Sequence, residues 1–567
     1  MNIGIFDTSL SQQSNFTKII AAEQNPSEAV SSEQNSTIQK THRLALNAIL
    51  AGICVSVLVA LACATIGAAI AATISAVVSV SMVYALKTGA VIGASIGLVL
   101  TPLALYLIKL FFQRDVPKEE LQKLDKEFFS ELKNPLLNGM QASPLGVYSL
   151  NDGFITTDSA QSLKFKLQLI EKAEQSIEIM PNYFSGEVMA QVLKIIETQL
   201  ESKPNLKVNI ITSSARINTN EEWERFNELK TKFPGRFQAL FIPYMPNINP
   251  AIKTYDSHMK MVVVDEKYFV LGGTSLTDEF SVKGDEKPQR ALNQNLTDRC
   301  LAAGFRDHDL VGKGPLAKTM RLVFYRQYAT WEYMLNREKD KLENHYFCLS
   351  EKGAVAQIDK IDSKKRLVRD AKMKLIISTP HSLGEKECTK EYRRIISKAK
   401  EIEIGNLSFD PPTDILEALD QALDNGAQVK ILTNGIDGEE VPLQNYFMAF
   451  PPKAHYRYLN KYQRNDEKES LNNLSEQKNT ERKEIDVFEY NVPDTSYHAK
   501  ILVAKDMNDV EEGIIGSFNL AYRGDVNDDE LIVVFEHSSL IHQIQNVLEA
   551  DRKLSRKVTV EKFPSII

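Results

Sequence analysis

His258-Met259-Lys260-Met261-Val262-Val263-Val264-Asp265 is the stretch on which the reading of this chain turns. A second stretch, His498-Ala499-Lys500-Ile501-Leu502-Val503-Ala504, follows 240 residues later. On a strand, residues i and i+2 share a face. His258 and Lys260 are therefore expected side by side, as are His498 and Lys500. The four-residue apolar run behind each lysine reads as buried strand. Two such copies would bring two imidazoles and two ammonium groups together, a set of charges suited to a phosphodiester.

The pattern repeats beyond these stretches. A helix is expected over 162–175, then a strand over 176–179, a helix over 188–201 and a strand over 207–212. The same order returns as helix 389–400, strand 402–404, helix 413–425 and strand 428–433. Helices alternating with strands predict a mixed α/β sheet covered by helices. Recurrence of the whole order makes two similar αβα units the expected architecture, a pseudo-two-fold pair over 145–345 and 346–567. Residues 464–484, rich in Asn, Glu, Lys and Ser without apolar period, read as a mobile insertion in the second unit.

The totals permit this. The chain has 567 residues, enough for more than one core. Its 67 Lys and Arg against 74 Asp and Glu give a net charge of -7, with no global basic signature that would demand nucleic acid. Cys54, Cys63, Cys300, Cys348 and Cys388 show no paired spacing, which predicts reduced thiols and no zinc site.

Residues 1–43 are polar and read as a flexible tail. Residues 44–86 contain no charge, Lys87 interrupts, and 88–108 are uncharged again. A bilayer core takes ~20 apolar residues in a helix, so 44–112 is expected to be a membrane hairpin, with three spans as the open alternative. Lys40 and Arg43 precede it, and Lys109, Arg114, Lys118 and Lys123 follow it. The positive-inside rule then puts both ends, and the globular part, on a cytoplasmic, reducing side. Residues 113–144 carry Glu and Lys at helical spacing and read as a connecting helix.

The motifs resemble those of the phospholipase D superfamily, whose mark is H-x-K-x4-D present twice, each time followed by a Gly-rich turn. The first copy has His258, Lys260 and Asp265, then Gly272-Gly273-Thr274-Ser275. The second has His498, Lys500 and Gly516-Ser517-Phe518-Asn519, continuing through Arg523 to Glu530. Arg306-Asp307 ahead of Gly312-Lys313-Gly314-Pro315, with Phe324 and Trp331 beyond, and Phe488-Glu489-Tyr490 ahead of His498 are family-like flanks. The resemblance spans roughly 145–550. Three positions depart from it: Lys505 stands where the second Asp is expected, with Asp506 one residue late, and Gly524 and Asp528 replace a Ser and an Asn. A bulge would restore Asp506, and without one that carboxylate is lost.

The chemistry can be assigned to residue types. Neutral imidazole can attack phosphorus and imidazolium can protonate the leaving oxygen, because a pKa of ~6.5 allows both states near neutrality. Lys260 and Lys500 can hold the non-bridging oxygens, with Asn519, Ser275 and Ser517 as neutral donors beside them. Each His needs an acceptor on its other nitrogen. The resemblance implies that Glu530 orients His258, that Asp307 orients His498, and that Asp265 is more structural than catalytic. It also implies a phosphohistidine intermediate and transfer to water or an alcohol, with no metal or other cofactor. His258, in the intact copy, is taken as nucleophile and His498 as acid, the reverse order staying open. The other histidines, His308 among them, read as surface or packing residues, and Trp331 and Phe324 as core. Asn182-Tyr183-Phe184 reads equally as cleft lining or core.

A membrane hairpin ahead of two such repeats is similar to the bacterial cardiolipin synthase layout. It implies a phospholipid substrate at a membrane, with no nucleic acid. A membrane-tethered nuclease of the same superfamily is the alternative. A reading of another class is an inclusion-membrane-type interaction protein with host protein contacts, its second motif degenerate.

Overall fold

The computed structural model describes residues 145–213, 220–242, 256–281, 304–335, 366–379, 386–434, 485–492, 495–521, 524–525 and 528–558. All lie in the second of two compact units, Pro117–Ile567. The expected tail, membrane hairpin, connecting helix and insertion 464–484 lie outside the described residues, as do Arg523 and the boundary at 345/346. Among the described residues no helix is long and apolar enough to cross a membrane.

The first half runs β1 (Ser149–Ile155), α1 (Ser159–Lys172), β2 (Ser176–Asn182), α2 (Gly186–Ser202), β3 (Lys207–Ser213), α3 (Asn220–Lys232) and β4 (Phe237–Ile242). It continues with β5 (Asp256–Ser257), β6 (Met261–Val264), β7 (Tyr268–Gly272), β8 (Gly304–Arg306), β9 (Asp309–Lys313) and α4 (Pro315–Leu335). The second half runs β10 (Val368–Ser378), α5 (Glu387–Ile396), β11 (Ala399–Asn406), α6 (Thr413–Asp424), β12 (Gln428–Asn434) and β13 (Ile485–Tyr490). There follow β14 (Thr495–Tyr497), β15 (Lys500–Asp506), β16 (Glu511–Gly516), β17 (Asp528–Glu536), α7 (Ser538–Lys553) and β18 (Ser555–Lys557).

One mixed sheet holds most strands, in the order β18-β13-β12-β11-β15-β16-β17-β10-β1-β9-β7-β6-β2-β3-β4. Outward from the central antiparallel pair β1–β10, the order is β9-β7-β6-β2-β3-β4 on one side and β17-β16-β15-β11-β12-β13 on the other. The fold is mixed α/β, as the alternation of periods predicts.

Period-two burial explains how the motif strands serve two layers. Met261 and Val263 of β6, with Ile501 and Val503 of β15, enter a central core that is continuous across both halves and packs against Phe324 of α4 and Leu548 of α7. Val262 and Val264 face a core with Val192 of α2 and Phe226 of α3. Leu502 and Ala504 face the corresponding core under α5 and α6. A strand covered on both faces needs apolar residues at every position, hence the unbroken runs.

Local signals set the helix starts. Asp158 caps α1 by accepting Gln161 N–H at 2.7 Å. His537 caps α7 through Nδ1, which accepts Ser539 N–H at 3.2 Å. The helix expected over 389–400 stops at Ile396, and Ala399 and Lys400 already belong to β11. The pull of the Ile402 and Ile404 strand, paired to β12 and β15, outweighs the helical propensity of Lys-Ala-Lys.

The two histidines do not lie within the strands of the main sheet. Both precede them, where the backbone pairs with the other half. β5 runs parallel to β17, and His258 N–H donates to Asp529 O at 3.0 Å. β14 runs parallel to β8, and His498 N–H donates to Arg306 O at 2.7 Å.

Candidate active site

The backbone exchange delivers each histidine to a carboxylate of the opposite half. His258 Nδ1 lies 2.8 Å from Glu530 Oε1 on β17. His498 Nδ1 lies 2.7 Å from Asp307 Oδ2, in the turn between β8 and β9. An imidazole whose Nδ1 donates to a carboxylate has its tautomer fixed, with chemistry assigned to Nε2. The His498 ring is also walled by Phe280 and Phe305 of the first half, with ring centres 5.2 and 5.1 Å away.

The lysines fold back on the same stretches. Lys260 Nζ donates to His258 O at 2.9 Å. Lys500 Nζ donates to His498 O and lies 3.0 Å from His498 Nδ1. Both lysines are 1% exposed. Buried cations hold their charge when anions share the site, and here Lys260 and Lys500 each act on both carboxylates. The electrostatics therefore join the two stretches into one site.

Burial dominates the carboxylates. Asp307 is pushed up to about 8 by desolvation, with Lys500 pulling it back and Asp309 adding to the rise. Glu530 is held well above the usual carboxylate range by burial first and by Asp528 second, with Lys260 opposing. Each acid therefore shares a proton with its histidine more readily than an exposed carboxylate would.

Supporting groups hold the acids in place. Ser517 Oγ donates to Glu530 Oε2 and accepts Leu531 N–H at 3.1 Å. Expected to assist phosphate, this hydroxyl is instead committed to Glu530. Among the described residues, Ser275 Oγ is buried with no partner, and Asn519 Oδ1 has none either. Both keep hydrogen-bonding capacity for a ligand. The glycine turn lets the acids in: a Cβ on Gly273 would collide with the Asp307 carboxylate, and one on Gly272 with Asp309. Asp309, paired with Lys166 at 2.8 Å, also accepts Thr274 N–H at 3.1 Å and so anchors that turn.

Asp265 stands apart from the histidines. Its carboxylate accepts the N–H groups of Glu174, Gln175 and Ser176 at 2.7 to 3.2 Å, tying the α1–β2 corner to the β6–β7 turn. In the second half a bulge does occur, but on β11: Ala399 faces Asp506 and Glu401 faces Lys505. Asp506 Oδ1 accepts Asn508 and Val510 N–H and caps its own hairpin. Lys505 pairs with Asp509 at 3.0 Å on the surface. The departure from the motif thus falls on a turn rather than on the histidines and lysines.

Nothing in the sequence marks Asp551, and His308, expected as a surface or packing residue, is fully buried. Asp551, fully buried on α7, meets Arg306 Nη2 at 2.7 Å and His308 Nε2 at 2.8 Å, the residues either side of Asp307. No local pattern marks that contact. Trp331 is core as expected, with Nε1 donating to Asp529 Oδ2 at 3.2 Å. His258, Asp528 and Glu530 present ligand atoms within 4.8 Å of one another, a set able to hold a cation. His258 and Glu530 of that set are the hydrogen-bonded pair described above.

Comparison with known proteins bears on this geometry. Residues 392–552 match the family model described as "Cardiolipin synthase, PLD-like domain". No curated protein matched. Among solved structures the chain is similar to phosphatidylserine synthase from Haemophilus influenzae, at 16% identity and a TM-score of 0.50, over 79% of this chain and 95% of that one. It is also similar to Nuc, a phospholipase D family member from Salmonella typhimurium, at 18% identity and a TM-score of 0.22, over 33% of this chain and 97% of that one. Polyphosphate kinase from Porphyromonas gingivalis aligns at 11% identity and a TM-score of 0.38, over 70% and 50%. The matched segment contains His498, Lys500 and Glu530, so the second half of the chain carries a domain similar to the phospholipase D-like domain of cardiolipin synthase.

Proposed function

We propose that the chain is a phosphodiesterase or phosphatidyltransferase that acts on phospholipid through a phosphohistidine intermediate. Two similar halves, related by a pseudo-two-fold between β1 and β10, would each supply one His and one Lys. The observation that carries this is the reciprocal pairing of His258 with Glu530 and His498 with Asp307. A packing role does not require two exchanged His–carboxylate pairs with two buried lysines beside them.

In the first step His258 Nε2 attacks phosphorus and the bond to the leaving alcohol breaks. His498 gives its proton to the departing oxygen. Phosphorylation makes the His258 ring cationic, and Glu530 with Asp528 behind it stabilises that charge. The Lys500 ammonium beside His498 Nδ1 favours release of the proton. In the second step water or an alcohol attacks, His498 takes its proton, and the P–N bond breaks. Lys260 and Lys500 hold the non-bridging oxygens in both. The apolar segment 44–112 would anchor the enzyme to a membrane, with the site on a cytoplasmic, reducing side.

Purified protein incubated with phosphatidylglycerol vesicles is expected to yield phosphatidic acid or cardiolipin by mass spectrometry, and His258→Ala and His498→Ala to yield neither. Lipid left intact while an oligonucleotide is cut with the same histidine dependence would move the activity to nucleic acid. Inactivity on both would favour an interaction protein.

A further inference from the structure

Three asparagines stand at strand ends around the site, and one differs from the others. Asn406, ending β11, donates Nδ2–H to Phe518 O at 3.4 Å and accepts Leu520 N–H at 3.1 Å, so it holds the turn of Asn519. Asn434, ending β12, donates to Tyr497 O and accepts Tyr497 N–H, both at 2.7 Å, so it holds the approach to His498. Asn182, ending β2, is 1% exposed, and among the described residues neither its Nδ2 nor its Oδ1 has a partner. A sealed amide with both ends unsatisfied is rare in a native protein and marks a place completed by something else.

Its backbone is shaped to hold it there. β2 gains one residue between Ile179 and Asn182 relative to β3, and Asn182 sits at φ 61°. A bulge with a left-handed residue redirects a side chain at the end of a strand, and such features gather next to functional sites. β2 pairs Met180 with Met261, so Asn182 comes level with the stretch that contains His258 and Lys260. On the other side, Phe184 bridges to Leu276 in parallel, which lays Asn182-Tyr183-Phe184 beside Thr274-Ser275-Leu276. Ser275 Oγ and Thr274 Oγ1 are also buried, with no partner among the described residues. The first half thus carries a cluster of neutral donors and acceptors at the end of the sheet where His258 lies.

We infer that Asn182, together with Ser275, binds a hydroxyl group of an alcohol substrate, the acceptor in transfer. A hydroxyl both donates and accepts, so it satisfies Oδ1 and Nδ2 together, whereas a phosphoryl oxygen only accepts and would leave Oδ1 unpaired. A site built to bond a hydroxyl discriminates strongly in favour of ligands that carry one. The inference rests on the transferase reading above and adds to it the residues that hold the hydroxyl of the acceptor alcohol.

The test uses the full chain with phosphatidylglycerol vesicles and added glycerol, reading the ratio of transfer product to phosphatidic acid. Asn182→Gly keeps the left-handed backbone and removes the amide. The ratio is expected to fall roughly tenfold, the scale of one or two neutral hydrogen bonds. An unchanged ratio, including equal loss of both products, would overturn the inference and leave a trapped water as the partner of Asn182. If wild type turns over no lipid, the transferase reading itself fails. Glycerol 1-phosphate titrated into the His258→Ala/His498→Ala protein then decides Asn182 separately. About tenfold weaker binding on adding Asn182→Gly supports the site, and equal binding, or none in either, overturns it.

Discussion

Glu530 meets His258 at 2.8 Å although 272 residues separate them, and it does so from a strand whose backbone also pairs with the approach to that histidine. The carboxylate and the chain that positions the imidazole therefore move as one body. Glu530→Gln keeps the shape and removes the anion that fixes the tautomer. The expected result is a loss of turnover by roughly 10²- to 10⁴-fold with little change in folding, the scale seen when an orienting carboxylate becomes an amide. Steady-state rates together with the unfolding midpoint check this.

Asp307 gives the pH dependence. Burial raises its carboxyl from the ordinary 3.8 to about 8, so the Asp307–His498 pair keeps its proton up to that pH. Activity that needs this proton is expected to fall as pH rises through about 8, and Asp307→Asn is expected to abolish that limb. Stability carries the same sign. The folded state binds the proton more tightly than the unfolded chain, so the contribution is full below pH 3.8 and declines as pH rises towards about 8. A pH–rate profile and urea midpoints across that window measure both.

Asp265 is expected to govern stability rather than chemistry. Asp265→Ala leaves the N–H groups of Glu174, Gln175 and Ser176 without their acceptor. A cost of about 2–4 kcal/mol follows from charged hydrogen bonds lost at a partly buried corner. Denaturant unfolding reads it, while the rate per folded molecule is expected to stay near wild type.

Lys505→Ala tests the departure in the second motif. Lys505 reaches Asp509 on the surface and no group of the site. The catalytic efficiency is expected to change by less than about twofold, as for ordinary surface substitutions. A large loss would place a catalytic demand on this position that the geometry does not show.

Asp551→Ala removes the anion between Arg306 and His308. Breaking a buried ion pair by deleting one partner costs about 3–5 kcal/mol, and the strand that presents Asp307 loses its hold on α7. The expected outcome is a lower unfolding midpoint together with reduced turnover. Asp551→Asn, which keeps the hydrogen bonds to His308 and Arg306, is expected to fall between this variant and wild type.

What could be read from the sequence was local. His258, Lys260, His498 and Lys500 announce themselves by spacing, and the strands behind them by unbroken apolar runs. The exchange of Glu530 and Asp307 followed only from resemblance, because no periodicity encodes a contact across 191 or 272 residues. Asp551 was invisible for the same reason: on α7 it is one acid near a basic helix end. Asn182 was noticed as a residue beside the cleft or in the core, yet its importance lies in a bulge and two missing partners, which only coordinates reveal. The helix over 389–400 ran too long because Lys398-Ala399-Lys400 suits a helix in isolation, while the sheet recruits Ala399 and Lys400.

The parallel pairing of β5 with β17 and of β14 with β8 has a consequence for synthesis. A growing chain that has emerged through β7 already carries His258 and Lys260, but the acid that orients this histidine arrives only with residues 528–536. Until that late strand docks, His258 lacks its carboxylate partner. The candidate site is therefore complete only once the two halves have paired through β5–β17 and β14–β8.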